Sequence, residues 1–164
     1  MSAFVIDTFE FCRLREQAEG LLQVADLVRL ADETVDRSGT LHWSLVGGDD
    51  KLDHPQLRLM ISGQLNLVCQ RCLTAMPFTI ASESVLIVAK NEDAADAIEQ
   101  LSDDDEIDVI VGDAAFDVTS LIEDEALLAL PVAPKHDVCP GNAVAPSAVT
   151  EKLSPFSVLK NLKQ

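Results

Sequence analysis

The stretch Leu57–Ala89, LRLMISGQLNLVCQRCLTAMPFTIASESVLIVA, decides the fold. Leu57, Leu59 and Ile61 alternate with Arg58, Met60 and Ser62, Gly63 interrupts, and Leu65 and Leu67 resume the alternation up to Cys69. After Pro77 come Phe78, Ile80 and the run Val85-Leu86-Ile87-Val88, a second long apolar segment. A period of two with one apolar face is the pattern of a half-buried strand. The two runs are joined by a short loop, which favours antiparallel pairing because a parallel crossover takes a dozen or more residues.

Upstream, Leu41, Trp43 and Leu45 alternate with Thr40, His42 and Ser44, and Gly47-Gly48-Asp49-Asp50 reads as the turn into the next strand. Before that the pattern is helical. A segment capped at Thr8 and running to Glu19, with Phe9, Cys12 and Leu14, is stopped by Gly20; a second, Leu22 to Thr34, places Leu27, Leu30 and Ala31 at helical spacing. Downstream lies an acidic excursion, residues 91–106, with a short helix expected around Ala94 to Leu101. A long helix is then expected from Val118 to Leu130. Asp117 is its N-cap, with Ser120 and Glu123 as an alternative capping box, and Pro131 ends it. Residues 140–153 hold Pro140, Gly141, Pro146 and Ser147 and read as a flexible linker. In the segment from Ser154, Pro155 opens a short helix with Phe156, Leu159 and Leu162 on one side. The expected architecture is α+β: one domain over 1–139, a linker over 140–153, and a short amphipathic helix over 154–164.

The 164 residues include 28 Asp or Glu against 12 Lys or Arg, a formal charge of -16. The acid is concentrated: between Asn91 and Pro134 stand 14 carboxylates and no Lys or Arg. Such a surface repels phosphate and attracts cationic partners, so electrostatic coating of nucleic acid is disfavoured. About half of the residues, 48%, are apolar, enough for a core, and with no Tyr, one Trp and six Phe that core must be aliphatic. No apolar run nears the roughly 18–20 residues of a membrane span. The first residues lack the charged and apolar regions of a signal peptide. A soluble, cytoplasmic protein without membrane contact is expected.

Cys69 and Cys72 form C-x2-C, and His136 and Cys139 form H-x2-C. Two such pairs suit a tetrahedral structural zinc, since thiolates and neutral imidazole match that metal's preferences. Two other readings stay open for the cysteines: reduced thiols in a turn, and a redox dithiol. The redox pair is the poorer fit, because strands rather than a helix N-terminus flank it. No nucleophile elbow, phosphate-binding loop, dinucleotide fingerprint or H-E-x-x-H zinc-protease motif is present. No small-molecule substrate is identified, and a non-enzymatic protein is expected. Glu123, Asp124 and Glu125 fall within one helical turn and are candidate contacts for a basic partner. Phe156, Leu159 and Lys160 are candidates for docking the terminal helix in a partner's groove.

Three stretches carry a family resemblance: Val68–Leu73 (VCQRCL), Asp117–Pro134 (DVTSLIEDEALLALPVAP) with His136, and Ser154–Lys163 (SPFSVLKNLK). In order and separation they resemble the YceD family over about residues 57–163. The resemblance implies a non-enzymatic cytosolic factor supporting synthesis, processing or accumulation of large-subunit ribosomal RNA. The charge, rather than the resemblance, leads to the expectation that the acidic 91–134 region meets a basic ribosomal protein or a pre-ribosomal particle, with RNA contact direct or indirect. Direct contact would use Arg58, Arg71, Lys160 and Lys163. Some members carry further cysteines after the Leu-Pro segment; here His136 and Cys139 stand near the first two of those positions. The competing functional class is a thiol oxidoreductase, or a zinc-stabilised interaction module, built on Cys69 and Cys72.

Overall fold

The computed structural model describes residues 4–101 and 107–141. In chain order the elements are β1 (Val5–Ile6), α1 (Thr8–Arg13), β2 (Gln17–Gln23), a 3-10 turn (Val24–Asp26), α2 (Val28–Asp32), β3 (Thr34–Asp49), β4 (Pro55–Val68), β5 (Ala75–Ala89), α3 (Glu92–Leu101), β6 (Ile107–Val111), β7 (Phe116–Asp117) and α4 (Val118–Leu128). The fold is α+β, as expected. Strands β2-β3-β4-β5-β6 form one sheet in that order, antiparallel except for the parallel β5–β6 pair, and β1 pairs antiparallel with β7.

The register places Leu41 opposite Gly63, Trp43 opposite Ile61 and Leu45 opposite Leu59, so one face of the meander is a continuous aliphatic surface. Leu86 and Ile80 extend it on β5. Against this face α1, α2 and α4 bury Phe11, Leu30, Val118, Ile122 and Ala126. Each fully buried leucine or isoleucine contributes about 1.5–3 kcal/mol relative to exposure. The opposite face carries Arg58, Met60, Ser62 and His42 and is open over its middle; at one end α3 packs on β5 and β6. Ile87 belongs to that face and is nonetheless buried, 1% exposed, beneath α3.

Several expectations are corrected. The first helix is short, Thr8–Arg13, and its N-cap is Asp7, whose carboxylate accepts from the Glu10 amide at 3.0 Å. Residues 17–23 are not its continuation but the edge strand β2, with Gly20 in mid-strand opposite Trp43. The chain reverses between them at Arg15, which has φ 51°. Leu22 to Thr34 is helical only over the 3-10 turn and α2, although Leu27, Leu30 and Ala31 are buried as expected. Gly47 and Gly48 lie inside β3, and the reversal falls at Asp50–His54. There the Asp50 carboxylate accepts from the Leu52 and His54 amides at 2.7 and 2.8 Å and meets His54 Nδ1 at 2.9 Å. Gly47 serves close packing instead: a Cβ there would stand 2.5 Å from the Phe11 carbonyl oxygen. β4 runs unbroken through Gly63, and β6, hidden in acidic sequence, is a parallel edge reached through α3. α4 ends at Leu128, two residues early, and its cap is Asp117, which accepts from the Thr119 and Ser120 amides at 2.9 and 3.2 Å. The linker beyond Gly141 and the terminal helix over 154–164 lie outside the described residues.

Candidate metal centre

β4 and β5 are joined by the six residues Cys69–Thr74. The loop is tight: the Cys69 amide donates to the Thr74 carbonyl at 2.9 Å, and the Leu73 amide donates to the Cys69 carbonyl at 2.8 Å. Leu73 takes the left-handed conformation, φ 59°, to close it. The segment after α4 returns to this loop and is held there by the Gln70 amide, which donates to the Pro134 carbonyl at 2.8 Å. With the His136 amide, which donates to Cys69 Sγ at 3.4 Å, that bond brings H-x2-C against C-x2-C.

The ligand atoms of Cys69, Cys72, His136 and Cys139 all lie within 4.8 Å of one another. Cys69 Sγ is 3.9 Å from Cys139 Sγ, and Cys72 Sγ is 3.4 Å from His136 Nδ1. A tetrahedral zinc with bonds near 2.3 Å to sulfur sets ligand–ligand edges of roughly 3.8 Å, so the cluster has the size such an ion needs. Cys69 and Cys139 are buried, Cys72 and His136 half-buried, and none of the four cysteines of the chain is in a disulfide. Three soft thiols and one imidazole are a donor set for zinc rather than for magnesium or calcium.

Local dipoles prepare the site for a cation. Burial opposes ionisation of Cys69, but the amides of Cys72, His136 and Arg71 point at its sulfur and hold its pKa down to about 5. Thr74 lowers Cys72 through its hydroxyl and its amide. His136 is raised by its hydrogen bonds to Cys69 and Cys72. Burial, with the neighbouring sulfurs, pushes Cys139 up to about 11. A cluster that favours ionisation of Cys69 and Cys72 and opposes that of Cys139 needs a positive charge at its centre to ionise fully. The arrangement does not favour the thiol oxidoreductase: the pair sits between strands β4 and β5 and not at a helix N-terminus.

Residues 57–163 match the family described as Large ribosomal RNA subunit accumulation protein YceD. The chain belongs to the YceD family. A relative from Haemophilus influenzae, Large ribosomal RNA subunit accumulation protein YceD, is 31% identical over 122 residues, 67% of this chain and 68% of that one. No solved structure matches the chain. All four cluster residues fall within the span matched to YceD.

The other candidate residues of this YceD chain are dispersed. Glu123 is 9% exposed and turned inward: its carboxylate accepts from the Arg29 and Leu30 amides at 2.7 and 3.2 Å and from Arg29 Nε at 2.9 Å. Asp124 is half exposed and pairs with the same Arg29. Glu125 is 9% exposed and accepts a short hydrogen bond from the Ser84 hydroxyl on β5. The triplet thus holds α4 to α2 and to the sheet, with Asp124 at the surface. Arg71 is exposed at the tip of the Cys loop, and Arg58 pairs with Glu83 at 2.8 Å. Phe156, Leu159, Lys160 and Lys163 lie outside the described residues. Sequence reasoning missed Thr74, Pro134 and Arg29. Thr74 stands two positions beyond Cys72, a signal in plain view; Arg29 lies 94 positions from Glu123, and nothing local announces it.

Proposed function

We propose that the protein is a non-enzymatic, cytoplasmic factor supporting accumulation of large-subunit ribosomal RNA, and that it acts by contacting a basic ribosomal protein or a pre-ribosomal particle. Membership in the YceD family carries the first half of this reading, through the name its relative bears. The acidic surface supports the second. Among the described residues, the exposed carboxylates of α3, Glu92, Asp93, Asp96 and Glu99, meet no base on their own helix. A surface of that sign repels the RNA backbone and steers a cationic protein to it quickly and salt-dependently. Arg71 is the described residue best placed for a direct RNA contact.

The Cys69, Cys72, His136 and Cys139 set would hold one zinc ion as a structural clip between the β4–β5 loop and the segment after α4. With four protein ligands the site is closed and leaves no position for substrate. Residues 1–139 would form the domain, 140–153 a tether, and 154–164 a helix presenting Phe156, Leu159 and Lys160 to the partner.

A tagged pull-down from cells at moderate salt, with and without ribonuclease, tests the reading. Ribosomal proteins retained after RNA digestion are the expected result. Loss of every ribosomal component with the RNA would overturn the protein-contact mechanism. Capture of no ribosomal component in either arm would overturn the function. Zinc content of the purified chain tests the clip separately.

A further inference from the structure

α3 packs on β5 and β6, yet only Ala95 of its ten residues is buried. Ala94, Ala97, Ile98 and Leu101 share another side of the helix and form one wall of a groove, with Leu52 and Pro55 on the other. Leu101 is 84% and Leu52 73% exposed, so both walls offer aliphatic surface to solvent. The groove has a volume of about 1010 Å³, at the top of the range usual for small-molecule sites.

The groove is polarised along its length. Lys90 directly precedes α3 and stands at its N-terminal end. The register pairs Asp49 with Pro55 and Gln56 with Ile87, which puts the 50–54 turn, and Lys51 with it, at that same end of the sheet. From there α3 runs back for about 15 Å to Leu101, since β6 re-enters opposite Val85. The acids of the lining are already engaged, Asp49 by Arg15 and Asp50 by His54, and Arg58 is held by Glu83. Lys51 and Lys90 have no carboxylate partner among the described residues. On α3, Glu92, Asp96 and Glu99 lie on the side opposite the apolar stripe, and Asp93 about a quarter turn from it. The uncompensated charge of the lining is therefore positive and gathered at one end.

We propose that this groove binds a free single-chain anionic amphiphile, a medium-chain fatty carboxylate, with its head at Lys51 and Lys90 and its chain along the α3 stripe. A trough with cations at one end and aliphatic walls beyond them complements an anionic head and an apolar tail. The length of α3 is the reach of such a chain. A basic segment would meet like charge at both lysines. The metal centre joins the opposite ends of β4 and β5, so the ligand site stands or falls independently of the clip.

Isothermal titration calorimetry on the full chain, with dodecanoate below its micelle concentration, should show one saturable site per chain. Butyrate keeps the carboxylate without the chain, and the glycerol monoester of dodecanoate keeps the chain without the charge. Each should bind at least about tenfold more weakly. Two double variants, Lys51→Ser with Lys90→Ser and Leu52→Asn with Leu101→Asn, should each weaken dodecanoate by about tenfold or more. All four residues are exposed, so circular dichroism should not change. Arg37→Ser, a cation lost at the far end of the sheet, should leave the affinity as it is. Absence of binding at millimolar dodecanoate, equal binding of the ester, or an affinity unmoved by both groove variants would each overturn the proposal. So would co-sedimentation of the chain with phosphatidylglycerol vesicles that the Leu52→Asn, Leu101→Asn variant loses, which would assign the groove to a membrane surface.

Discussion

Glu123→Ala separates a structural carboxylate from a partner contact. Glu123 is nearly buried and accepts from the Arg29 and Leu30 amides, the first turn of α2, at 2.7 and 3.2 Å. Hydrogen bonds to a charged acceptor contribute about 1.5–3 kcal/mol each. The Arg29 amide belongs to an exposed residue and regains water on truncation, whereas Leu30 is 0% exposed and its amide does not. The Arg29 guanidinium is 53% exposed, so its ion pair adds only about 0–1 kcal/mol after solvent screening. The expected cost is therefore about 2–4 kcal/mol. Glu123→Gln keeps an acceptor oxygen and should cost about half as much. Asp124→Ala, which removes only an exposed pair, should stay within about 1 kcal/mol. Trp43, the only tryptophan, lies on the core face 5.4 Å from the Phe4 ring and reports unfolding by fluorescence. With a urea m-value of about 2 kcal/mol/M, the midpoint should fall by about 1–2 M. A loss below about 0.5 kcal/mol, with ribosomal proteins gone from the pull-down, would refute the structural role and restore Glu123 as a contact.

Three further outcomes are expected. Cys72→Ser should reduce bound zinc, measured by mass spectrometry, from about one ion per chain to near none, and stability should fall with it; a stable, metal-free wild-type chain would remove the clip. Asp50 holds its carboxyl below the usual range: burial pushes the other way, but the His54 and Leu52 amides and the His54 ring outweigh it. Because the folded-state value is depressed, this stabilisation is present above about pH 4 and is lost as pH falls through the folded value. Asp50→Asn should accordingly flatten the acid limb of a stability–pH curve and leave neutral stability lower by about 1 kcal/mol. Gly47→Ala should cost about 1–3 kcal/mol in denaturant titration, because its Cβ would meet the Phe11 carbonyl at 2.5 Å.

The central hairpin was legible because Leu57, Leu59 and Ile61 alternate against polar neighbours and the register buries that same set. β2 was not. Its residues, QAEGLLQ, are mostly strong helix formers, and only pairing with β3, whose partner positions stand 17 to 29 residues further along the chain, makes them a strand. Gly47 and Gly48 look like a turn because glycine has two uses, and close approach of backbone leaves no local trace that distinguishes it from chain reversal. β6 is five residues beside an acidic run, too short for periodicity to stand out. In the metal centre the four side chains were readable from spacing, since C-x2-C and H-x2-C are local patterns. What helps to join them is the Gln70–Pro134 backbone bond, which no side-chain identity encodes. The E-D-E triplet marked a real feature of α4, but its partners Arg29 and Ser84 come from elements distant in sequence.

The wide separation of the two ligand pairs also has a meaning in time. At the usual synthesis rate of roughly 5–20 residues per second, the 64 positions from Cys72 to His136 take roughly 3–13 s to emerge. During that interval the hairpin pair is a two-thiol half-site on a growing chain, reachable by oxidants and by competing metals. The nascent protein therefore passes, each time it is made, through a window in which Cys69 and Cys72 stand without His136 and Cys139.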